Sequence, residues 1–236
     1  MRLHKGLRIS HMNFAFSATK KFFNNVSMHC EPGELNFLQG KNGSGKSTLF
    51  AILQGHIPSH AQLTGTFSID EYETKVEHNQ LNYSFTKHIT TVVQKVDEMV
   101  APHFSVEQNV QCANLPNYPG LYNLPLAQKM SLLQDFNIDA RMCVEQLSGG
   151  QKQIVAIVMA LQKSAQLLLL DEPTAALDPK NAHMVMQCLR KLAQTLHITA
   201  LIISHDKELV QTYAPGYYFE INQDDHDLRT IEKKLF

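Results

Sequence analysis

One nine-residue run, Gly40-Lys41-Asn42-Gly43-Ser44-Gly45-Lys46-Ser47-Thr48, constrains this chain more than any other. It fits the phosphate-cradling pattern G-x-x-x-x-G-K-S/T at every position. Residues 34–39 before it read as a short apolar strand, and residues 47–54 after it as a helix. Strand, glycine-rich loop and helix form the setting that the pattern requires. Glycines let successive backbone N–H groups turn inward on a polyphosphate, at a helix N-terminus whose partial positive charge favours anions. Gly40, Asn42, Gly43, Ser44, Gly45 and Thr48 are therefore candidate loop contacts. Lys46 supplies a point charge for the β- and γ-phosphates, and Ser47 a hydroxyl for a magnesium ion.

The remaining composition excludes several classes. A chain of 236 residues holds one large core, or a core with a small subdomain. At 44% hydrophobic and 18% charged it is an ordinary globular sequence. Its net charge of −1 lacks the basic excess of a nucleic-acid binder. Cys30, Cys112, Cys143 and Cys188 lie far apart without ligand spacing, which predicts reduced, unpaired thiols in a cytosolic protein. The histidines are scattered singly, so no metal cluster is expected. Residues 1–8 are basic but lack a following apolar stretch, and no signal peptide is expected. The longest strongly apolar run, near 167–170, falls far short of the ~20 residues that span a bilayer. Any membrane role is expected to come through a partner.

Residues 7–39 alternate apolar and polar side chains in short runs, which predicts an antiparallel β portion. Residues 63–69 and 72–76 resemble a further hairpin, and 89–93 a buried strand. From about 102 to 147 the chain changes character. Pro116, Pro119-Gly120 and Pro125 separate segments of helical spacing at 106–113 and 126–136, so an inserted, mostly helical subdomain with a loose middle is expected. From Gln151 the order becomes helix, strand at 167–170, helix at 181–196 and strand at 199–203, the alternation of βαβ units on a parallel sheet. After Tyr217 one apolar strand and a charged end are expected.

Two further motifs carry chemistry. Leu167-Leu168-Leu169-Leu170 suits a central strand buried on both faces. The carboxylates that follow, Asp171 and Glu172, then stand at the C-terminal end where open α/β sheets bind ligands. Asp171 is a candidate for holding magnesium, and Glu172 for activating the attacking water as general base. In Leu147-Ser148-Gly149-Gly150-Gln151, the serine and the two glycines open a helix and so make a second anion site. Read alone, the pentapeptide favours an ordinary serine N-cap followed by glycines. Two phosphate-binding helix N-termini can serve one nucleotide only if they face each other.

The order of these motifs resembles that of the ABC-type ATPases, the nucleotide-binding subunits of ABC transporters, over roughly residues 7–218. The resemblance implies an α/β P-loop NTPase fold with a parallel core sheet, an N-terminal antiparallel β portion and an inserted helical subdomain. The resemblance also implies one nucleotide-binding domain over 1–236, with 1–101 and 148–236 as the RecA-like core and about 102–147 as the helical subdomain. It implies ATP and Mg²⁺ as cofactors. By the same resemblance Gln94 matches the glutamine that senses Mg²⁺ and couples to the membrane subunit. Ala175-Ala176-Leu177-Asp178 matches the D-loop, with Asp178 at the nucleotide. His205 matches the switch histidine at the γ-phosphate, and Phe16 falls where an aromatic ring stacks on adenine, although the family's usual residue there is tyrosine.

The resemblance further implies a head-to-tail dimer, homomeric or heteromeric, in which each ATP lies between Lys46 of one copy and Ser148, Gly149, Gly150 and Gln151 of the other. The expected partners are transmembrane permease subunits and a substrate-binding protein. The expected location is the cytoplasmic face of the membrane, held there by the permease. Import of a small organic solute is favoured. The alternatives are an exporter ATPase subunit and a non-transport ABC ATPase acting on ribosome or DNA. The single cassette, the lack of a heptad insertion and the lack of a basic excess weigh against the last.

Overall fold

A computed structural model describes residues 4–18, 20–76, 79–92, 96–114, 126–161 and 165–236. Its strands join into one ten-stranded sheet. β1 (Leu7–Ser17) and β2 (Lys20–Cys30) form an antiparallel hairpin, extended by β4 (Gln62–Ile69) and β5 (Tyr72–Lys75). The parallel block comprises β3 (Leu35–Gln39), β6 (Ile89–Val92), β7 (Leu167–Asp171) and β8 (Thr199–Ile203), with β9 (Tyr217–Gln223) alongside β3. β10 (Arg229–Leu235) returns antiparallel to β9 and touches β2 through one bridge, Arg229 to Phe23.

The helices are α1 (Lys46–Leu53), the short α2 (Tyr83–Thr86), α3 (Val106–Asn114), α4 (Leu126–Gln134), α5 (Gly149–Ala160), α6 (Pro179–Leu196) and α7 (Lys207–Tyr213). The leucine run behaves as expected of a strand covered on both faces. Leu168 and Leu170 enter the core shared with α5 and α6, while Leu167 and Leu169 enter the core shared with α1 and the antiparallel strands. Alternation along the pleat divides them in this way. α3, α4 and α5 pack on one another, and an isolated bridge between Ser105 and Cys143 ties the start of α3 to the chain before α5.

The expectations need three corrections. β3 does not continue the antiparallel portion, because its backbone pairs parallel with β8 and β9 inside the core. The charged end is a regular strand, β10, whose Ile231 alone is buried while Glu232 and Lys233 face water. α7 is an element that the sequence does not announce, being seven residues long and anchored by only Leu209, Val210 and Tyr213. The expected loose loop within 102–147 lies for the most part outside the described residues. All four cysteines are free. Among the described residues no group of three or more histidine, cysteine or carboxylate side chains could hold a metal, and no helix is long and apolar enough to cross a membrane.

Candidate functional site

The loop from Gly40 to Gly45 leaves the C-terminal end of β3 and enters α1. Gly45 is the N-cap at φ 109°, a left-handed geometry suited to glycine. A Cβ there would also meet Phe22 Cε1 at 2.7 Å. Phe22 belongs to an edge-to-face cluster with Phe14, Phe16 and Phe23, and Arg229 covers its ring at 3.9 Å. The antiparallel hairpin is thus a floor for the loop. Helices α2, α5, α6 and α7 close their N-termini with Asn82, Ser148, Asp178 and Asp206 side chains. The N-cap of α1 offers no such bond and its first turn holds no acid. Its N–H groups are left for an outside acceptor.

Above the loop lies a cavity of about 870 Å³. It is lined by Asn42, Gly43, Gly45, Lys46, Ser47 and Thr48 from the loop and α1, by Asp171 at the end of β7 and Glu172 just after it, and by His205 after β8. Lys46 Nζ donates to the carbonyl oxygens of Gly40 at 2.7 Å and Lys41 at 3.2 Å, spanning the loop's mouth. Burial lowers its pKa, against the pull of Glu172 and Asp171. Burial raises the pKa of Asp171, opposed by Lys46 and His205. It raises that of Glu172 too, opposed by the charge and backbone N–H of His205 and reinforced by Asp171.

Glu172 sits at φ 49°, unusual for a residue with a Cβ. Its N–H donates to Ile203 O at 3.0 Å, and its carbonyl accepts from Ala175 N at 3.2 Å, which holds the turn. Its Oε1 stands 3.4 Å from His205 Nε2. That is an ion-pair distance without hydrogen-bond alignment, and the buried Oε1 has no hydrogen-bond partner among the described residues. Ser44 Oγ, buried in the loop, is likewise unpartnered. Such orphaned groups beside a cavity suit a polar guest. A hydroxyl at Ser47 and a carboxylate at Asp171 on the same wall form an oxygen donor set fitting a hard cation such as Mg²⁺.

The other expected residues are placed differently. Phe16 is half-buried, edge-on to Phe14 at 5.0 Å and Phe22 at 4.9 Å. It lines a separate hollow of about 290 Å³ with Ser47, Thr48, Ala51, Ile52, His56 and Pro58, next to the α1 N-terminus. Ser148, Gly149, Gly150 and Gln151 do not line the cavity above Lys46. They open α5 in a capping box: Ser148 Oγ accepts from Gln151 N at 3.2 Å, and Gln151 Oε1 accepts from Ser148 N at 3.1 Å. The N-cap reading of that serine is correct within one chain. Asp178 caps α6 and is itself absent from the cavity wall, although its neighbours Leu177 and Pro179 line it. Gln94 lies outside the described residues.

Sequence reasoning misses Asp206. Its Oδ1 accepts from Glu208 N at 2.9 Å and Leu209 N at 3.1 Å, while its own N–H donates to Ser204 Oγ at 3.2 Å, fixing the turn that presents His205. An aspartate followed by a glutamate in a first helical turn is the available signal. Thr174 and His183, which also line the cavity, carry no local signature.

Fold and site together define a P-loop nucleoside triphosphatase. Residues 23–175 match the family model described as ABC transporter. The chain is 31% identical to the phosphonates import ATP-binding protein PhnC of Paraburkholderia xenovorans over 226 residues, 90% of this chain and 73% of the relative. It is 32% identical over 208 residues to the methionine import ATP-binding protein MetN of Corynebacterium glutamicum, covering 84% of this chain and 54% of that one. Among solved structures, cbiO1 of Clostridium perfringens, part of the ABC transporter complex cbiONQ, superposes with a TM-score of 0.77 at 25% identity, over 99% of this chain and 89% of its own. A dimeric ATP-binding cassette bound to ADP and Pi in a post-hydrolysis state shares the fold, with a TM-score of 0.65 at 23% identity over 97% and 98% of the two chains. The chain belongs to the ABC transporter family and is an ATP-binding, ATP-hydrolysing subunit of that kind.

Proposed function

We propose that this protein powers import of a small organic solute by closing on ATP as a dimer, with Mg²⁺ as the metal cofactor. The observation that carries the proposal is the incompleteness of the cavity. Lys46, Ser47, Asp171, Glu172 and His205 converge on it from one side, while Ser148–Gln151, the other helix start built for an anion, lie away from it. A second copy in head-to-tail orientation supplies the missing wall. The relatives named for phosphonate and methionine import support the direction of transport and a small solute, and a substrate-binding protein and permease subunits follow from it. The permease docks on the helical subdomain, about 102–147, and on the Gln94 loop, holding the chain at the cytoplasmic face of the membrane.

Each side chain then has a task. The uncapped N–H groups of α1, with Gly43, Ser44 and Gly45, wrap the phosphates. Lys46 exchanges its bonds to Gly40 and Lys41 for the β- and γ-phosphates, as one charged donor replaces neutral acceptors with anionic ones. Ser47 and Asp171 hold the metal, with Gln94 as a further oxygen donor. When bound, Mg²⁺ neutralises charge that builds up on the transferring phosphoryl group. Glu172, whose Oε1 has no hydrogen-bond partner among the described residues, takes a proton from the attacking water. His205 orients that water and the γ-phosphate from across the turn. Phe16 presents its free face to the adenine beyond Ser47 and Thr48.

Co-purification of the tagged chain with a multi-spanning membrane protein, together with solute-stimulated phosphate release by that complex in proteoliposomes, tests this reading. Full activity without any membrane partner, unaffected by adding one, contradicts it.

A further inference from the structure

The N-termini of α5 and α6 meet in one protomer, and Asn181 joins them. Its backbone N–H donates to Asp178 Oδ1 at 3.0 Å, and its side-chain Nδ2 donates to Asp178 Oδ2. The second bond fixes which way the amide points, leaving Oδ1 aimed at α5. There it accepts the hydroxyl of Ser148 at 3.2 Å. The contact is close on every side: a Cβ on Gly150 would lie 2.7 Å from Asn181 Oδ1 and 2.8 Å from Met184 Cε.

A serine hydroxyl carries one proton and two lone pairs. Ser148 Oγ uses a lone pair on the Gln151 N–H and its proton on Asn181 Oδ1. A phosphate oxygen is an acceptor, so it can bond to this hydroxyl only by taking that proton. We infer that Asn181 is a positioning residue that holds the Ser148 proton in the separate subunit and yields it to the incoming nucleotide of the partner. Dimer closure then exchanges one hydrogen bond for another at Ser148, and the exchange lowers the affinity of closure without touching the loop around Lys46. This inference rests on the reading of Ser148 as a nucleotide contact.

The test is ATP-driven self-association of the full chain in a Glu172→Gln background, read as the ATP concentration giving half-maximal dimer by analytical ultracentrifugation. Asn181→Ala keeps the backbone cap on Asp178 and removes the competing acceptor. It should lower that concentration about three- to tenfold, the scale of one neutral hydrogen bond, with ATP affinity of the monomer unchanged. In a Ser148→Ala background, where no proton is contested, the same substitution should have an effect below about twofold. Asn181→Asp, with a stronger charged acceptor, should raise the half-maximal concentration. An unchanged or raised value for Asn181→Ala, or an equal shift with and without the Ser148 hydroxyl, overturns the inference. If Ser148→Ala alone leaves self-association intact, the nucleotide-contact reading fails, and the proton competition fails with it for that separate reason.

Discussion

Glu172 Oε1 stands 3.4 Å from His205 Nε2, two side chains carried by the ends of adjacent parallel strands, β7 and β8. The pairing of those strands sets the distance, with Asp171 opposite Ile203. The two groups proposed to act on the attacking water are therefore aligned by the most buried part of the sheet. Among the described residues, nothing satisfies Glu172 Oε1 by a hydrogen bond.

That arrangement has a pH signature. Burial raises the pKa of Glu172 above its ordinary 4.5. The folded protein therefore binds more protons than the unfolded chain in the window just above that value, and stability falls as pH rises through it. At neutral pH the ionised carboxylate is a net cost to the fold. Glu172→Gln should unfold at a higher temperature than the parent near pH 7.5, the difference shrinking as pH falls to about 4. Thermal unfolding at both pH values checks this, and a Glu172→Gln variant less stable than the parent at neutral pH contradicts it.

Phe16→Ala removes a ring held by edge-to-face contacts with Phe14 and Phe22. If its open face stacks on adenine, ATP affinity of the monomer should fall by about 1–3 kcal/mol, on the scale of base–aromatic stacking. Fluorescent-nucleotide titration measures it. Unchanged affinity would leave Phe16 as a packing residue alone.

Gly150→Ala should destabilise the fold by about 1–3 kcal/mol through overpacking, because its Cβ would fall 2.7 Å from Asn181 Oδ1 and 2.9 Å from Asn181 Cβ. Denaturant unfolding of the monomer reads this directly. Wild-type stability would show that α5 and α6 separate without cost. One of the two glycines of the pentapeptide thus has a reason within the single chain, beyond any approach of a phosphate.

Ser148→Arg should reduce ATP hydrolysis at least a hundredfold while leaving monomer ATP affinity nearly unchanged, since Ser148 is not on the wall of the Lys46 cavity. Parallel measurements of phosphate release and nucleotide binding separate the two. Loss of binding by the monomer would place Ser148 at its own chain's nucleotide.

What the sequence made legible was local. The run from Gly40 to Thr48 and the leucines 167–170 each carry their structural meaning within a few residues, and both stand where the patterns require. β10 was hidden because its neighbours to Ile231 are Thr230, Glu232 and Lys233, and it exists by pairing with β9. The single bridge that joins the antiparallel strands to the rest of the sheet has no signal in either strand alone. Asn181 was illegible for the same reason. Its role depends on two helix starts, 33 residues apart from Ser148 to Asn181, meeting in space.

The central claim is that the Lys46 cavity is half of an ATP site. Sedimentation of the Glu172→Gln variant with saturating ATP and Mg²⁺ tests it most directly. The expected result is a stable dimer holding two unhydrolysed ATP molecules, dispersed to monomers when Ser148→Arg is added. A monomer that binds ATP and never associates, with or without the permease, would contradict it.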